Sequence, residues 1–375
     1  MLDGSVSLQF LSVKDGDVLF EVADGTLKDG ALCLPIRLRA VGGATVWVNG
    51  IQAVEVEPGL YQVSISLRCY RNEVMAECMQ TGEKTSVLLF WLRGAYRTYA
   101  LGVDDVILCL KNIWRNQDRY PSLFDDPFLA VYRDLHEAYG TRVHMHVYYK
   151  TVEGDFDLSM FPDKYKEEFR RNADWLRFCF HALCDEPDSP YKNASYEQVM
   201  REGELVQREL LRFAGGEVSD RFTSQHWADS ALPGTRAFRD LGFSALDAYF
   251  VFDENGAPQV SYYLNAEQAR HATTRDLWID TKENIVFVKD DVILNSHRPD
   301  RIEELLNAAL QRTDHALMYL LIHEQYFYPD YKNYLPDYRE RLFCGVEWCV
   351  RNGYRSVWVD DVAFENDGFA DGETS

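Results

Sequence analysis

Residues 127–149 read PFLAVYRDLHEAYGTRVHMHVYY, and this stretch decides the fold. Proline fits the first turn of a helix and glycine the left-handed residue that closes one, so Pro127 to Tyr139, ended by Gly140, predicts a helix. Val143 to Tyr149 is a short apolar run of β-formers and predicts a strand. A helix that leads through a short turn into a buried strand is the repeating unit of a parallel sheet with helices outside it.

The alternation continues downstream. Pro162 to Trp175 predicts a helix and Leu176 to Leu183 a strand. Ser195 caps a long amphipathic helix over Glu197 to Phe213, which stops at Gly215-Gly216. Strand Phe222 to Trp227, helix Gly234 to Leu241 and strand Ala245 to Phe252 come next. Residues 253–297 read as irregular, with short strands around Trp278 and Ile285 to Val288. Helix Asp300 to Arg312, strand Leu317 to Ile322, helix Tyr338 to Arg351 and a last strand Ser356 to Val359 complete the pattern. With Tyr99 to Val103 as the first strand, this count predicts an α/β domain over 96–364, a (β/α) barrel of about seven parallel strands. The acidic end, 365–375, is expected to be disordered.

Upstream of residue 96 the period changes to two. Apolar and polar residues alternate in Val46-Trp47-Val48, Val54-Glu55-Val56 and Tyr61 to Leu67. Asp15-Gly16, Asp24-Gly25, Asn49-Gly50, Pro58-Gly59 and Thr81-Gly82 supply the turns between strands. Residues 1–95 therefore predict a small all-β module, a β-sandwich. Its Trp47, Asn49-Gly50, Gly59-Leu60-Tyr61, Leu67 and Asn72 resemble bacterial immunoglobulin-like modules.

The chain has 375 residues, enough for two cores, with 46% hydrophobic and 14% aromatic residues. Acids outnumber bases 60 to 39, giving a formal net charge of −21. That balance argues against nucleic acid and against anionic membrane surfaces, both of which need clustered Lys and Arg. The eight cysteines form no Cys-x-x-Cys pair, no apolar run is long enough to span a bilayer, and the first residues carry no export pattern. A cytoplasmic protein is the expectation.

In a parallel barrel, reactive groups collect at the carboxyl ends of the strands. Tyr99-Ala100-Leu101-Gly102-Val103 ends in Asp104-Asp105, and Phe178-Cys179-Phe180 in His181, with Asp185 four residues on. Phe222 to Gln225 ends in His226-Trp227, and Met318 to Ile322 in His323-Glu324-Gln325-Tyr326. Asp105, His181 and Asp185 form a candidate ligand set of hard and borderline donors for zinc, manganese or cobalt. His144 and His146 share one face of their strand and are read as hydrogen-bonded structural histidines.

The order of these features resembles the polysaccharide deacetylases, a family of carbohydrate esterases. Gly102-Val103-Asp104-Asp105-Val106 is similar to that family's Thr-Phe-Asp-Asp-Gly motif, and His181-Ala182-Leu183-Cys184-Asp185 to its histidine motif. Leu320-Leu321-Ile322-His323 is similar to its Leu-x-x-His motif. The resemblance implies a metal-dependent deacetylase acting on an acylated sugar, with Asp104 as general base and His323 as general acid. It implies a divalent metal on Asp105, His181 and Asp185. His226, Trp227, Glu324 and Tyr326, with Tyr328, are candidates for the substrate walls. The sequence departs from the family in four places. No glycine follows the Asp pair, Asp185 stands in place of a second histidine, the fourth-strand Arg-x-Pro-x-Gly motif is missing, and there is no Asp-x-x-Asp-Trp motif to orient the histidine.

Two other readings stand beside this one. A glycoside hydrolase would pair Glu324 with an Asp of the 104–105 pair and need no metal. A degenerate barrel would only bind a glycan or a protein.

Overall fold

The computed structural model describes residues 7–312 and 316–364; the acidic segment 365–375 lies outside the described residues. The chain divides into two compact units. One holds the residues up to Tyr96 with Leu277–Asn284 and Phe364; the other holds Arg97–Asp276 and Ile285–Ala363.

In the first unit two sheets share one core. The first runs in the order Gln9–Phe10, Ala31–Arg39, Leu60–Leu67, Val54–Glu57, with Thr26–Lys28 paired to Ala31–Arg39. The second runs Val18–Leu19, Lys84–Trp91, Arg71–Cys78, Val46–Val48, Ile51–Gln52. Tyr61, Val63, Ile65 and Leu67 are buried while Gln62, Ser64 and Ser66 between them are exposed. This period-two pattern turns one face of each sheet inward, and Leu34, Ile36, Val46, Val74 and Leu89 join the same apolar cluster. Asn49 and Gly50, both left-handed, make the tight turn between Val46–Val48 and Ile51–Gln52.

Leu277–Asn284, expected downstream, belongs to this unit through contacts that sequence proximity does not announce. The Trp278 indole N–H donates to the Asp15 carbonyl at 3.0 Å, and the Ile279 N–H to the Gly16 carbonyl at 2.9 Å. Gly16 is left-handed, and a Cβ there would stand 1.9 Å from the Ile279 carbonyl oxygen, so the approach requires glycine.

The second unit is mixed α/β with parallel strands. Its centre is Thr98–Val106, buried along its whole length. Val143–Tyr148 pairs on one side of it and Leu317–His323 on the other, both parallel. Leu176–Ala182 lies beyond the former and Val292–Ile293 beyond the latter. Phe222–Thr223, Ala245–Ala248 and Ile285–Lys289 pair in parallel as a second set. Among the described residues the ladders thus fall into separate sheets, whereas the sequence predicted one ring of about seven strands.

The helix Pro127–Tyr139 forms as predicted, with Gly140 left-handed at its end. Its start is built by Asp126, whose carboxylate accepts from the Phe128 and Leu129 N–H groups at 3.0 and 3.1 Å. Ser195 caps Tyr196–Phe213 through the Gln198 N–H. Several expectations change, among them the strand predicted over 245–252, which is Ala245–Ala248 followed by a separate Val251–Phe252. The helix predicted over 162–175 is a short Lys166–Arg171. The irregular 253–297 stretch contains a helix, Ala266–Ala272, opened by an Asn265/Gln268 capping box. The last strand shrinks to Arg355–Ser356, because the chain turns into the helix Val359–Ala363. No helix among the described residues is long and apolar enough to cross a membrane.

Candidate metal and catalytic site

The first strand of the second unit delivers two adjacent carboxylates. Successive strand residues point to opposite faces, so Asp104 and Asp105 should diverge. They do not, because the register with Val143–Tyr148 shifts between Val103 and Val106 and Asp105 takes a left-handed φ of 64°. A non-glycine residue held there is a local strain that bulges concentrate near functional groups. Both carboxylates consequently approach His181: Asp105 Oδ1 is 3.2 Å and Asp104 Oδ2 4.0 Å from its Nε2.

His181 ends Leu176–Ala182 and is 1% exposed. Its Nδ1 lies 2.5 Å from the Ser224 carbonyl oxygen, an acceptor only, so Nδ1 carries the hydrogen and Nε2 faces the carboxylates. His226 is the third member. The strand predicted over 222–227 ends at Thr223, and left-handed Trp227 and Ala228 turn the chain back. The His226 Nε2 sits 3.1 Å from the Asp185 carbonyl oxygen, which fixes its hydrogen there and leaves Nδ1 inward. That Nδ1 is 3.1 Å from His181 Nε2 and 3.5 Å from Asp105 Oδ1.

Asp105, His181 and His226 thus form a buried group of three ligating atoms. Ligands ~2.0–2.1 Å from a tetrahedral zinc ion stand about 3.3 Å from one another, which the separations of 3.1, 3.2 and 3.5 Å match. Carbonyl acceptors behind both imidazoles are the arrangement that orients metal-ligating histidines. The residues present therefore fit a divalent ion. Asp185, the ligand expected from its spacing to His181, lies outside this group: its carboxylate Oδ1 is 3.8 Å from His226 Nε2, and its main chain does the orienting. His226, expected against substrate, is inside it.

The surroundings are strongly polarised. Burial works to raise the Asp104 carboxyl, but the His181 charge and the His146 hydrogen bond hold it down to about 2. Asp105 is pushed still lower against its burial, chiefly by the His181 hydrogen bond. Burial disfavours charge on His181, yet Asp104 and Asp105 lift it to about 9. His226, desolvated and beside His181, falls to about 4.

Around the group, Tyr148 at the end of its strand gives its hydroxyl hydrogen to Asp105, with Asp185 Oδ1 and His226 Nδ1 each 3.0 Å away. The Gln325 amide donates to Asp105 Oδ2 at 2.5 Å. Asp104 is held separately, its Oδ1 by His146 Nδ1 at 2.6 Å and its Oδ2 by the Ser224 hydroxyl at 2.7 Å. His146 is therefore a partner of Asp104, while His144, its Nδ1 2.6 Å from Asp220 Oδ2, lies buried beside Phe222 and Trp358. Sequence reasoning passed over Tyr148, Ser224 and Gln325. The strand-end rule that selected Asp104 and His181 covers all three.

His323 is the register neighbour of Asp104 on the adjacent strand. Its Nδ1 is 2.9 Å from Asn295 Oδ1, which also accepts the His323 backbone N–H at 3.1 Å, leaving Nε2 to face the site. Trp227 is 49% exposed at the rim, with its ring 6.1 Å from that of His226. Tyr326 is half-buried, 6.1 Å from the His323 ring.

Glu324 is elsewhere. It is fully buried and accepts the N–H groups of Ile107, Leu108 and Cys109 at 2.6 to 2.7 Å, besides the Tyr328 hydroxyl. Burial pushes its carboxyl up to about 7 against the pull of those three amides. Neither Glu324 nor Tyr328, which stacks on Phe128, is placed to meet a substrate.

No family model matches the sequence, and no curated protein matches it. Among solved structures the chain is similar to a "putative polysaccharide deacetylase" from Mycobacterium smegmatis at 13% identity and a TM-score of 0.38. The overlap covers 71% of this chain and 86% of that one, and is too loose to bear on chemistry.

Proposed function

We propose that the second unit is a metal-dependent hydrolase that removes an acyl group, acetyl in the simplest case, from a sugar amide or ester. The observation that carries this reading is the Asp105–His181–His226 group with its two orienting carbonyls, beside a separately held carboxylate and an imidazole. We take the parallel sheets as arcs of one barrel. Asp104, Tyr148, His181, His226 and His323 all stand at or just past the carboxyl ends of parallel strands, where barrel sites lie. The first unit is read as an immunoglobulin-like sandwich attached to it.

Asp105, His181 and His226 would hold the ion. A divalent ion there supplies Lewis acidity toward the acyl carbonyl. Asp104, ionised and fixed through both oxygens, takes the proton of the attacking water. His323, oriented through Nδ1 by Asn295, gives a proton from Nε2 to the departing amine or alcohol. Trp227 and Tyr326 offer ring faces on which a pyranose can stack.

The test begins with elemental analysis of protein purified without added metal and then reconstituted with zinc, manganese or cobalt. About one ion per chain is expected, lost in Asp105→Ala, His181→Ala and His226→Ala, together with hydrolysis of acetylated sugars. An unreconstitutable protein, or variants that keep a stoichiometric ion, would sink the assignment.

A further inference from the structure

Beneath the ligand group lies a second set of buried acids that the reaction above does not use. Ser224 Oγ is 2.7 Å from Asp104 Oδ2 and 3.0 Å from Asp247 Oδ2. Asp247 lies in the Ala245–Ala248 strand and is 2% exposed. Asp290 follows the Ile285–Lys289 strand, and its side chain meets that of Asp247. Three carboxyl groups are therefore strung together with one hydroxyl between the first two.

A hydroxyl has a single hydrogen. Placed between two acids, it donates to one and must accept from the other, so one of the two carries a proton. Asp104 is the acceptor of the pair: His146 already donates to its other oxygen, and the His181 ring is 4.0 Å away. The groups that act most on Asp247 are Asp290, Asp104, the Ser224 hydroxyl and the Ala248 N–H, none of them a cation, and the Tyr262 hydroxyl is committed to its main-chain carbonyl. Were Asp247 and Asp290 both ionised, neither could donate, and Asp247 Oδ1 and both Asp290 oxygens would be buried without a partner. Two protons, one on Asp247 Oδ2 toward Ser224 Oγ and one on Asp290 toward Asp247, give Asp247 Oδ1 and one Asp290 oxygen a partner. Burial and mutual repulsion work the same way, lifting Asp247 to about 7 and Asp290 well above the carboxylate range.

We propose that Ser224 and Asp247 are positioning residues for Asp104: Asp247 and Asp290 each carry a proton, Asp290 donating to Asp247 and Asp247 donating from Oδ2 to Ser224 Oγ, which commits the one hydroxyl hydrogen to Asp104. Both oxygens of Asp104 are then tied, His146 holding one and Ser224 the other, and each oxygen keeps a lone pair for the reaction. The effect on catalysis rests on the hydrolase reading; the hydrogen-bond assignment does not.

The experiment has two arms on the full chain. Infrared difference spectra at neutral pH compare wild type with Asp247→Asn/Asp290→Asn. Loss of a neutral-acid carbonyl band is expected; loss of carboxylate bands alone overturns the assignment. Kinetics with acetylated sugars then compare Ser224→Ala, Asp247→Ala and Asp247→Asn at full metal loading. Ser224→Ala and Asp247→Ala should lower kcat about tenfold or more with KM and metal content unchanged. Asp247→Asn, a neutral side chain that still donates, should recover most of that loss. An Asp247→Asn variant as impaired as Asp247→Ala overturns the positioning role. Absence of hydrolysis in the wild type would refute the parent reading, while the infrared arm still decides the proton's place.

Discussion

Glu324 is the residue on which the metal-independent glycosidase reading depends, and its role can be isolated by stability. The helix Leu108–Asn116 begins at Ile107, which has no side chain able to cap it. Glu324 supplies the missing acceptor from the short helical turn after the strand Leu317–His323: Oε2 takes the Ile107 and Leu108 N–H groups and Oε1 takes Cys109. A buried N–H left without an acceptor costs ~1–3 kcal/mol, so Glu324→Ala exposes a loss of ~3–9 kcal/mol, nearer the lower end where water enters the vacated space. Domain stabilities are ~5–15 kcal/mol, so the variant should be severely destabilised. Glu324→Gln keeps one acceptor oxygen and turns an NH2 group toward the remaining amide, at ~1–3 kcal/mol. Urea unfolding followed by circular dichroism and tryptophan fluorescence should rank wild type above Gln and Gln above Ala. Glu324→Gln with wild-type stability but no hydrolysis would refute the argument and restore Glu324 as a catalytic acid.

Two further outcomes follow from neighbouring geometry. A Cβ at Gly102 would stand 2.0 Å from the Tyr319 hydroxyl oxygen, so Gly102→Ala should cost ~1–3 kcal/mol of overpacking. Because that hydroxyl is buried without a partner, Tyr319→Phe alone should be near neutral and should recover part of the loss in the double variant, as a thermal-denaturation cycle would measure. Asn295→Ala should leave metal content intact and lower kcat about tenfold or more, since it frees the His323 ring; unchanged kcat would remove Asn295 as its orienting partner.

Much of the architecture was legible because its causes are local. Gly140 closes a helix for the same reason in sequence as in space, and Tyr61 to Leu67 alternates in both. The candidate site was legible as a set of strand ends and illegible in its aim. Nothing in the dipeptide Asp104-Asp105 announces the bulge that brings both carboxylates to one side. His226 was expected on a continuing strand, but the strand ends at Thr223 and the chain carries His226 into the ligand group at the start of a short helical turn, His226–Ala228. Glu324, one residue beyond His323, looked equally reactive, but it points to helix amides some 215 residues away in sequence. Contacts of that separation have no local signature.

One consequence concerns how such a site can drift. His226 is aimed by the peptide carbonyl of residue 185, not by that residue's side chain. The genetic identity of position 185 is thereby uncoupled from the orienting contact, since any amino acid that leaves the loop on the same path presents the same oxygen. Substitutions there keep the orienting contact at the cost of the side chain's own contact with the Tyr148 hydroxyl, whereas a single insertion or deletion between Ala182 and Ser195 would move the acceptor and release the imidazole. Loop length, rather than loop spelling, is the inherited constraint.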